Sequence, residues 1–147
     1  MSGRVTHLAV RALDRAAKLA LRPPERPAHV ETGRRGEELA YFYLRGTGYV
    51  IVARNYRSHR RQGEIDMVGW DGDALCFIEV KTRTTREVKP AEAAVDVEKR
   101  RELRGMARDY MRRMAGNPAY RFDILSIYLL DGADAEFTLF KNAFPVS

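Results

Sequence analysis

The segment Gly63–Arg83 constrains the fold more than any other part of the 147-residue chain. It reads GEIDMVGWDGDALCFIEVKTR, two β-prone apolar runs around an Asp-Gly, which is the composition of a hairpin. Strands are expected over 64–70 and 74–82. A two-residue turn at Asp71-Gly72 sets Trp70 opposite Asp73, Asp66 opposite Phe77 and Glu64 opposite Glu79. Side chains alternate along a strand, and directly opposed residues share a face. One face then carries Ile65, Met67, Cys76, Ile78 and Val80, all apolar, and is expected in the core. The other carries Glu64, Asp66, Glu79 and Lys81 beside Val68, Leu75 and Phe77.

That second face suggests chemistry. Asp66 and Glu79 become diagonal neighbours, and Glu79 and Lys81 are adjacent on one strand. Several carboxylates gathered among apolar residues are unfavourable without a neutralising charge. A divalent cation relieves their repulsion. Oxygen ligands favour Mg²⁺, or Mn²⁺, held by one or two carboxylates with several waters retained. Such an ion polarises a phosphoryl oxygen and makes water a better nucleophile. Lys81 would orient that water or offset charge building on the phosphate. The rival reading is a solvated Glu-x-Lys pair on an exposed ribbon. The apolar content of both strands and the mid-strand position of the charges argue against it.

The rest of the chain supplies a frame for this hairpin. Residues 4–21 have apolar positions at helical spacing with Arg4, Arg11, Arg15 and Lys18 off the stripe. Pro23, Pro24 and Pro27 follow, so 1–31 is expected as an amphipathic helix and linker, and 32–147 as the main domain. A helix is expected over 33–46, with Thr32 as N-cap and Gly46 or Gly48 as its stop. Strand 49–56, the basic loop 57–63, the hairpin, a long helix 91–115 and strands 121–129 and 136–141 complete the order. This predicts an α/β fold, one mixed sheet with flanking helices in the order α-β-β-β-α-β-β, after an N-terminal helical extension.

Composition adds limits. The net charge of +6 is uneven: residues 1–30 hold six Lys/Arg and two acids (+4), leaving twenty and eighteen (+2) for the remainder. Overall charge therefore says little about partners, and local clusters carry that argument. Arg54, Arg57, Arg60 and Arg61 fall close together with no acid between them, a candidate phosphate-binding rim; the alternative is a solvated basic loop. Cys76 stands alone, so no disulfide forms within the chain, and a reducing, cytoplasmic location is expected. One cysteine and three scattered histidines do not suit a structural zinc site. No apolar run has the length to span a bilayer.

Asp66 followed by Glu79-Val80-Lys81 resembles the Asp…Glu-x-Lys signature of the PD-(D/E)XK nuclease superfamily. More closely, Gly33-x-x-Gly36-Glu37-x-x-Ala40, Arg54-Asn55-x-Arg57, Gly63-Glu64-Ile65-Asp66, Phe77-Ile78-Glu79-Val80-Lys81-Thr82-Arg83 and Arg121-Phe122-Asp123 resemble the bacterial YraN-like family. That family is similar to archaeal Holliday-junction resolvases. The resemblance covers residues 32–142 and implies a restriction-endonuclease-like sheet. It implies that Asp66 and Glu79 ligate metal, with the Val80 carbonyl as a third ligand, and that Lys81 is the catalytic lysine. Glu37 matches the helix-borne glutamate of such nucleases, although a first-turn acid also suits the helix dipole. Lys99, at the edge of the long helix's apolar stripe, is the candidate polar residue that approaches the catalytic lysine and substrate. Glu64 and Asp123 are weaker candidates; Glu64 is expected to pair with Arg57 or Arg83, and Asp123 with Arg121.

The resulting expectation is an Mg²⁺-dependent endonuclease acting on DNA, branched or structured DNA by analogy, with a homodimer as the arrangement that paired cuts need. A nucleic-acid-binding module that kept the fold without catalysis is one alternative. An interaction adaptor docking through its N-terminal helix is the other.

Overall fold

The first described helix owes its start to Pro27, whose carbonyl accepts from the Val30 and Glu31 amides. The computed structural model describes residues 27–86 and 94–147. The expected helix over 4–21, most of the linker, and residues 91–93 of the expected long helix lie outside these.

Helix α1 (Ala28–Gly46) begins five residues before the expected start at 33, so Thr32 lies inside it rather than capping it. Gly36, Ala40 and Leu44, spaced four apart, form its buried stripe. Its end is closed by the Leu44 carbonyl, which accepts from the Thr47 amide and hydroxyl and the Tyr49 amide. Gly48 (φ +101°) supplies the left-handed turn there. Strands β1 (Val50–Tyr56), β2 (Ile65–Asp71) and β3 (Ala74–Arg83) follow. Helix α2 (Val97–Met111) then precedes β4 (Tyr120–Tyr128) and β5 (Glu136–Phe144). Asp96 caps α2 by accepting from the Lys99 amide at 2.9 Å, which fixes its start later than the expected 91.

The five strands form one mixed sheet in the order β1-β2-β3-β4-β5, antiparallel except for the parallel pair β3–β4. The element order is the one expected from sequence, α-β-β-β-α-β-β. Each sheet face has its own core. On one, Val68, Leu75, Phe77, Phe122 and Ile124 pack with Leu103, Met106 and Ala107 of α2. On the other, Met67, Cys76, Ile78, Val80, Leu125 and Ile127 pack with Ala40 and Leu44 of α1. No described helix is long and apolar enough to cross a membrane.

The hairpin register differs from the expected one. Asp71 pairs with Ala74, Val68 with Phe77 and Met67 with Ile78, so the loop residues are Gly72 and Asp73. Gly72 has φ +59°, and Gly at the first central position is the mark of a type II′ turn. The slip leaves most side chains on the expected face because pairing moves by an even step. Ile65 is the exception: it packs with Val68 and Phe77 on the α2 side, away from Met67 and Ile78. The alternation therefore breaks between Ile65 and Met67, where the regular β2–β3 ladder stops.

Asp123 is fully buried and is held by four donors. Tyr49 Oη donates at 3.0 Å, Arg121 Nε at 2.9 Å, Arg121 Nη2 at 3.1 Å and the Asn142 amide at 2.9 Å. Arg121 also reaches Asp71 at 2.6 Å, and Lys141 meets the same Asp71 oxygen at 2.7 Å. Those two hydrogen bonds, from Lys141 and then Arg121, hold the Asp71 carboxyl below its ordinary pKa. Burial, then the Asp123 charge, pushes the neighbouring Cys76 thiol up to about 12, so it stays a neutral core group. The expected Asp123–Arg121 pair is thus a structural clip that ties β4 to Asp71 at the hairpin turn and to Asn142 of β5. Replacing Asp123 with Ala strips Arg121 Nε, the Tyr49 hydroxyl and the Asn142 amide of their buried acceptor, although Arg121 keeps Asp71, and is expected to cost about 3–5 kcal/mol. Tyr49→Phe removes one bond and should cost about 1 kcal/mol. Urea denaturation of the three proteins measures both.

Candidate metal centre

Asp66 sits where β2 and β3 part. The Val80 amide of β3 points across to β2 and donates to Asp66 Oδ2 at 2.7 Å. A carboxylate thus takes a donor that a continuing ladder would engage, and the strands are free to diverge. Within one strand residue, N–H and C=O point to the same side, so the Val80 carbonyl also faces the Asp66 side.

Three carboxylates converge at this opening. Glu37 from α1, Glu64 from the loop before β2, and Asp66 each offer an oxygen, and these oxygens all lie within 4.8 Å of one another. Gly36 allows this approach: a Cβ there would strike Thr82 Oγ1 of β3. Asn55, at φ +49° near the end of β1, donates to Glu37 Oε2 at 3.0 Å and fixes its orientation. Arg57 Nη2 meets Glu64 Oε2 at 2.8 Å, so of the two partners expected for Glu64 the structure selects Arg57.

Glu79 lies beside this trio rather than within it. It is buried, and Lys81 Nζ stands 2.9 Å from its Oε1. Lys99 Nζ lies 3.7 Å from its Oε2 and 3.0 Å from Glu102 Oε1. Among the described residues, Glu79 Oε2 has no hydrogen-bond donor. A buried carboxylate oxygen left without a donor is unfavourable, and a bound cation would satisfy it. Burial opposes the Lys99 charge, but the attraction of Glu79, Glu102 and Asp66 prevails and raises its pKa.

Asp66 bears the electrostatic consequence. Burial first, and the Glu79 charge second, push its pKa up to about 7; the Val80 hydrogen bond and Lys99 only partly offset them. Four carboxylates face two lysines and one arginine here, so the donor set is all oxygen and its surplus is negative. These residues fit a hard divalent cation such as Mg²⁺ or Mn²⁺. Asp66, Glu37 and Glu64 would hold it, with Glu79 and the Val80 carbonyl at the margin.

The four arginines of the expected rim have separate fates. Arg61 Nε pairs with the buried Asp109 at 3.1 Å, and its guanidinium lies over Gly105. Arg57 serves Glu64, while Arg54 lies 4.8 Å above the Tyr41 ring. Arg60 lines a pocket of about 240 Å³ with Ser58, Asp109, Arg112 and Arg113. The loop is strapped along α2: Ser58 Oγ donates to Asp109 at 2.8 Å, and Gly63 (φ +98°) abuts Glu102. The Ser58 hydrogen bond, outweighing burial together with Arg61 and Arg112, holds the Asp109 carboxyl below its ordinary pKa. Glu102 and Asp109 are legible in the sequence as acids able to pair with the arginines of the long helix, and Asp109 does meet Arg112 at 3.3 Å, but their contacts with Lys99, Ser58 and Arg61 emerge only in the fold.

The sequence model of the uncharacterised protein family UPF0102 matches residues 36–127. The chain is 55% identical over 142 residues to a UPF0102 protein of Koribacter versatilis, covering 97% of this chain and 96% of that one. It is 55% identical to one from Solibacter usitatus over 66% of this chain and 74% of the relative. A Geotalea uraniireducens UPF0102 protein is 34% identical over 86% of this chain and 99% of its own length.

The raised Asp66 pKa has a definite sign for stability. An unfolded aspartate titrates near 3.8 and the folded one near 7, so the folded state binds the extra proton between these values. Stability from this group is therefore greatest below about pH 4, falls as pH rises to about 7, and is flat above. Asp66→Asn should be more stable than wild type by on the order of 1–3 kcal/mol at pH 8, with the difference vanishing near pH 4. Thermal melts across this range check it; a wild type that gains stability between pH 4 and pH 7 relative to Asp66→Asn contradicts it. Millimolar Mg²⁺ should raise the wild-type midpoint at pH 8 and leave the variant unchanged.

Proposed function

The chain belongs to the uncharacterised protein family UPF0102, and from the site itself we propose that it hydrolyses phosphodiester bonds in DNA with a divalent cation. The observation that carries this reading is the convergence of Glu37, Glu64 and Asp66 oxygens beside a buried Glu79 that holds two lysines. The family's similarity to the PD-(D/E)XK nucleases is consistent with it.

When bound, the cation withdraws charge from a phosphoryl oxygen and favours deprotonation of water. The chain's own residues do the rest. Asp66 gives up its proton on entering the charged form, and the Val80 amide keeps that carboxylate pointed into the opening. Asn55 and Arg57 fix Glu37 and Glu64, so the acids are oriented before any ligand arrives. Glu79 anchors the Lys81 ammonium, leaving its remaining protons to orient an attacking water or to neutralise charge growing on the phosphate. Water adds to phosphorus and releases a proton to solvent, the bond to the leaving oxygen breaks, and that oxygen takes a proton back from solvent, so the step balances. Lys99, tethered to Glu79 and Glu102, adds positive charge at the same opening.

Arg57 and Arg60 are exposed cations on the loop that leads into β2, suited to the backbone of a bound strand. DNA is the substrate this reading names, in the cytoplasm, with branched DNA and a homodimer following from resolvase similarity. The rival reading, a binding module without catalysis, predicts the same salt-dependent binding and no product.

Purified protein should cut linear, flapped or four-way DNA in Mg²⁺ or Mn²⁺. Asp66→Asn and Lys81→Ala should each reduce the rate by at least about 100-fold, while retaining DNA affinity within a few-fold. Binding without cleavage in either metal would sink the enzyme reading and leave the module. Gel-resolved product and fluorescence anisotropy on the same samples give both readouts.

A further inference from the structure

The face of α1 that carries Glu37 continues away from the acids as Tyr41 and Arg45, one helical turn apart at each step. Arg54 of β1 lies 4.8 Å from the Tyr41 ring centroid and Arg45 lies 5.5 Å from it. Arg45 also donates to the Tyr41 hydroxyl at 3.2 Å. Phe42 meets Tyr41 edge to face, with centroids 5.4 Å apart, yet is 62% exposed. Beside them opens a cleft of about 480 Å³ lined by Tyr41, Arg45, Gly48, Tyr49, Val50 and Ile51. Its far wall is β1, the edge strand, with backbone groups on that side unpaired in the sheet.

An exposed phenylalanine beside a half-buried tyrosine with two guanidiniums close to its ring is not explained by core packing. Aromatic rings and arginine planes accept the faces of unstacked bases, and the same arginines attract the phosphates that accompany them. The sheet edge adds donors and acceptors for base edges. A duplex offers no free base face, so this chemistry selects unpaired nucleotides.

We propose that Tyr41, Phe42, Arg45 and Arg54 form a subsite for an unpaired nucleotide next to the acidic cluster. Tyr41 stands about 6 Å along α1 from Glu37, so the two places are neighbours on one helix face. Asn55 joins the two places directly, since it follows Arg54 in β1 and donates to Glu37. The subsite would therefore hold a base one or two positions from the phosphate at the acids, and would make strand junctions, flaps and single strands the preferred substrates. That link to cleavage rests on the hydrolytic reading above; the stacking itself does not.

The test is metal-free binding of a single-stranded dodecamer carrying 2-aminopurine, beside the same sequence as a duplex. Wild type should quench the single-stranded probe and bind it more tightly than the duplex. Phe42→Ala and Tyr41→Ala should weaken single-strand binding by about ten-fold, abolish the quench, and leave both the salt slope and duplex affinity unchanged. Phe42 is exposed, so its variant carries little folding risk, and Phe42→Trp should restore the quench. Arg54→Lys should keep the salt slope and lose affinity, because an ammonium does not stack. Equal losses for single strand and duplex, or no quench in wild type, overturn the proposal. It is also overturned if sedimentation shows self-association that Val50→Lys breaks and the oligonucleotide does not, for the face is then a protein interface. Asp66→Asn should quench like wild type; quenching with no cleavage in any metal fails the hydrolytic reading and spares the subsite.

Discussion

The hydrogen bond from the Val80 amide to Asp66 is the contact on which the site depends. A regular ladder between β2 and β3 would bury Asp66 against the sheet or turn it away. Instead the paired register ends at Met67 and Ile78, and the aspartate takes up a backbone donor of the diverging strand. Two results follow from this one substitution of side chain for main chain. The strands open a notch at mid-sheet, and a carboxylate is fixed in it with a geometry the backbone sets.

Everything nearby serves that notch. The α1 helix approaches because Gly36 has no Cβ to meet Thr82, and it brings Glu37 with it. The loop before β2 is strapped to α2 through Asp109 and Glu102, which places Glu64 and Arg57. The α2 helix begins at the Asp96 cap, and that start sets Lys99 over Glu79. Burial first and the Glu79 charge second raise the Asp66 pKa, and the Val80 hydrogen bond and Lys99 only partly offset them. Such repulsion next to the core costs stability that a bound cation would return. On the neighbouring strand β4, Asp123 meets four donors and shows no such surplus, which is why it reads as a clip and not a site.

Much of this was legible in the chain because strand periodicity is local. The alternation through Glu79 and Lys81, the Asp-Gly turn signal and the element order all follow from short-range pattern. The register was misjudged by an even step, since Gly72 occupies the first turn position and not the second. Ile65 was assigned to the wrong face because alternation fails where the ladder stops, and a break of that kind has no residue signature. Helix α1 starts at Ala28 because a helix can follow Pro27 directly, so Thr32 was not needed as a cap. The arginine cluster read as one rim but divided among Asp109, Glu64 and Tyr41. Those partners lie on three different elements, and only the folded chain brings them within reach.

The central claim is that these acids form one cation site organised by Asp66. Titrating Mn²⁺ into the protein at pH 8, with free ion followed by electron paramagnetic resonance, tests it most directly. One ion should bind per chain in wild type, with Mg²⁺ competing, and binding should be lost in Asp66→Asn although the variant remains folded. No bound ion in wild type, or equal binding in the variant, would contradict the claim.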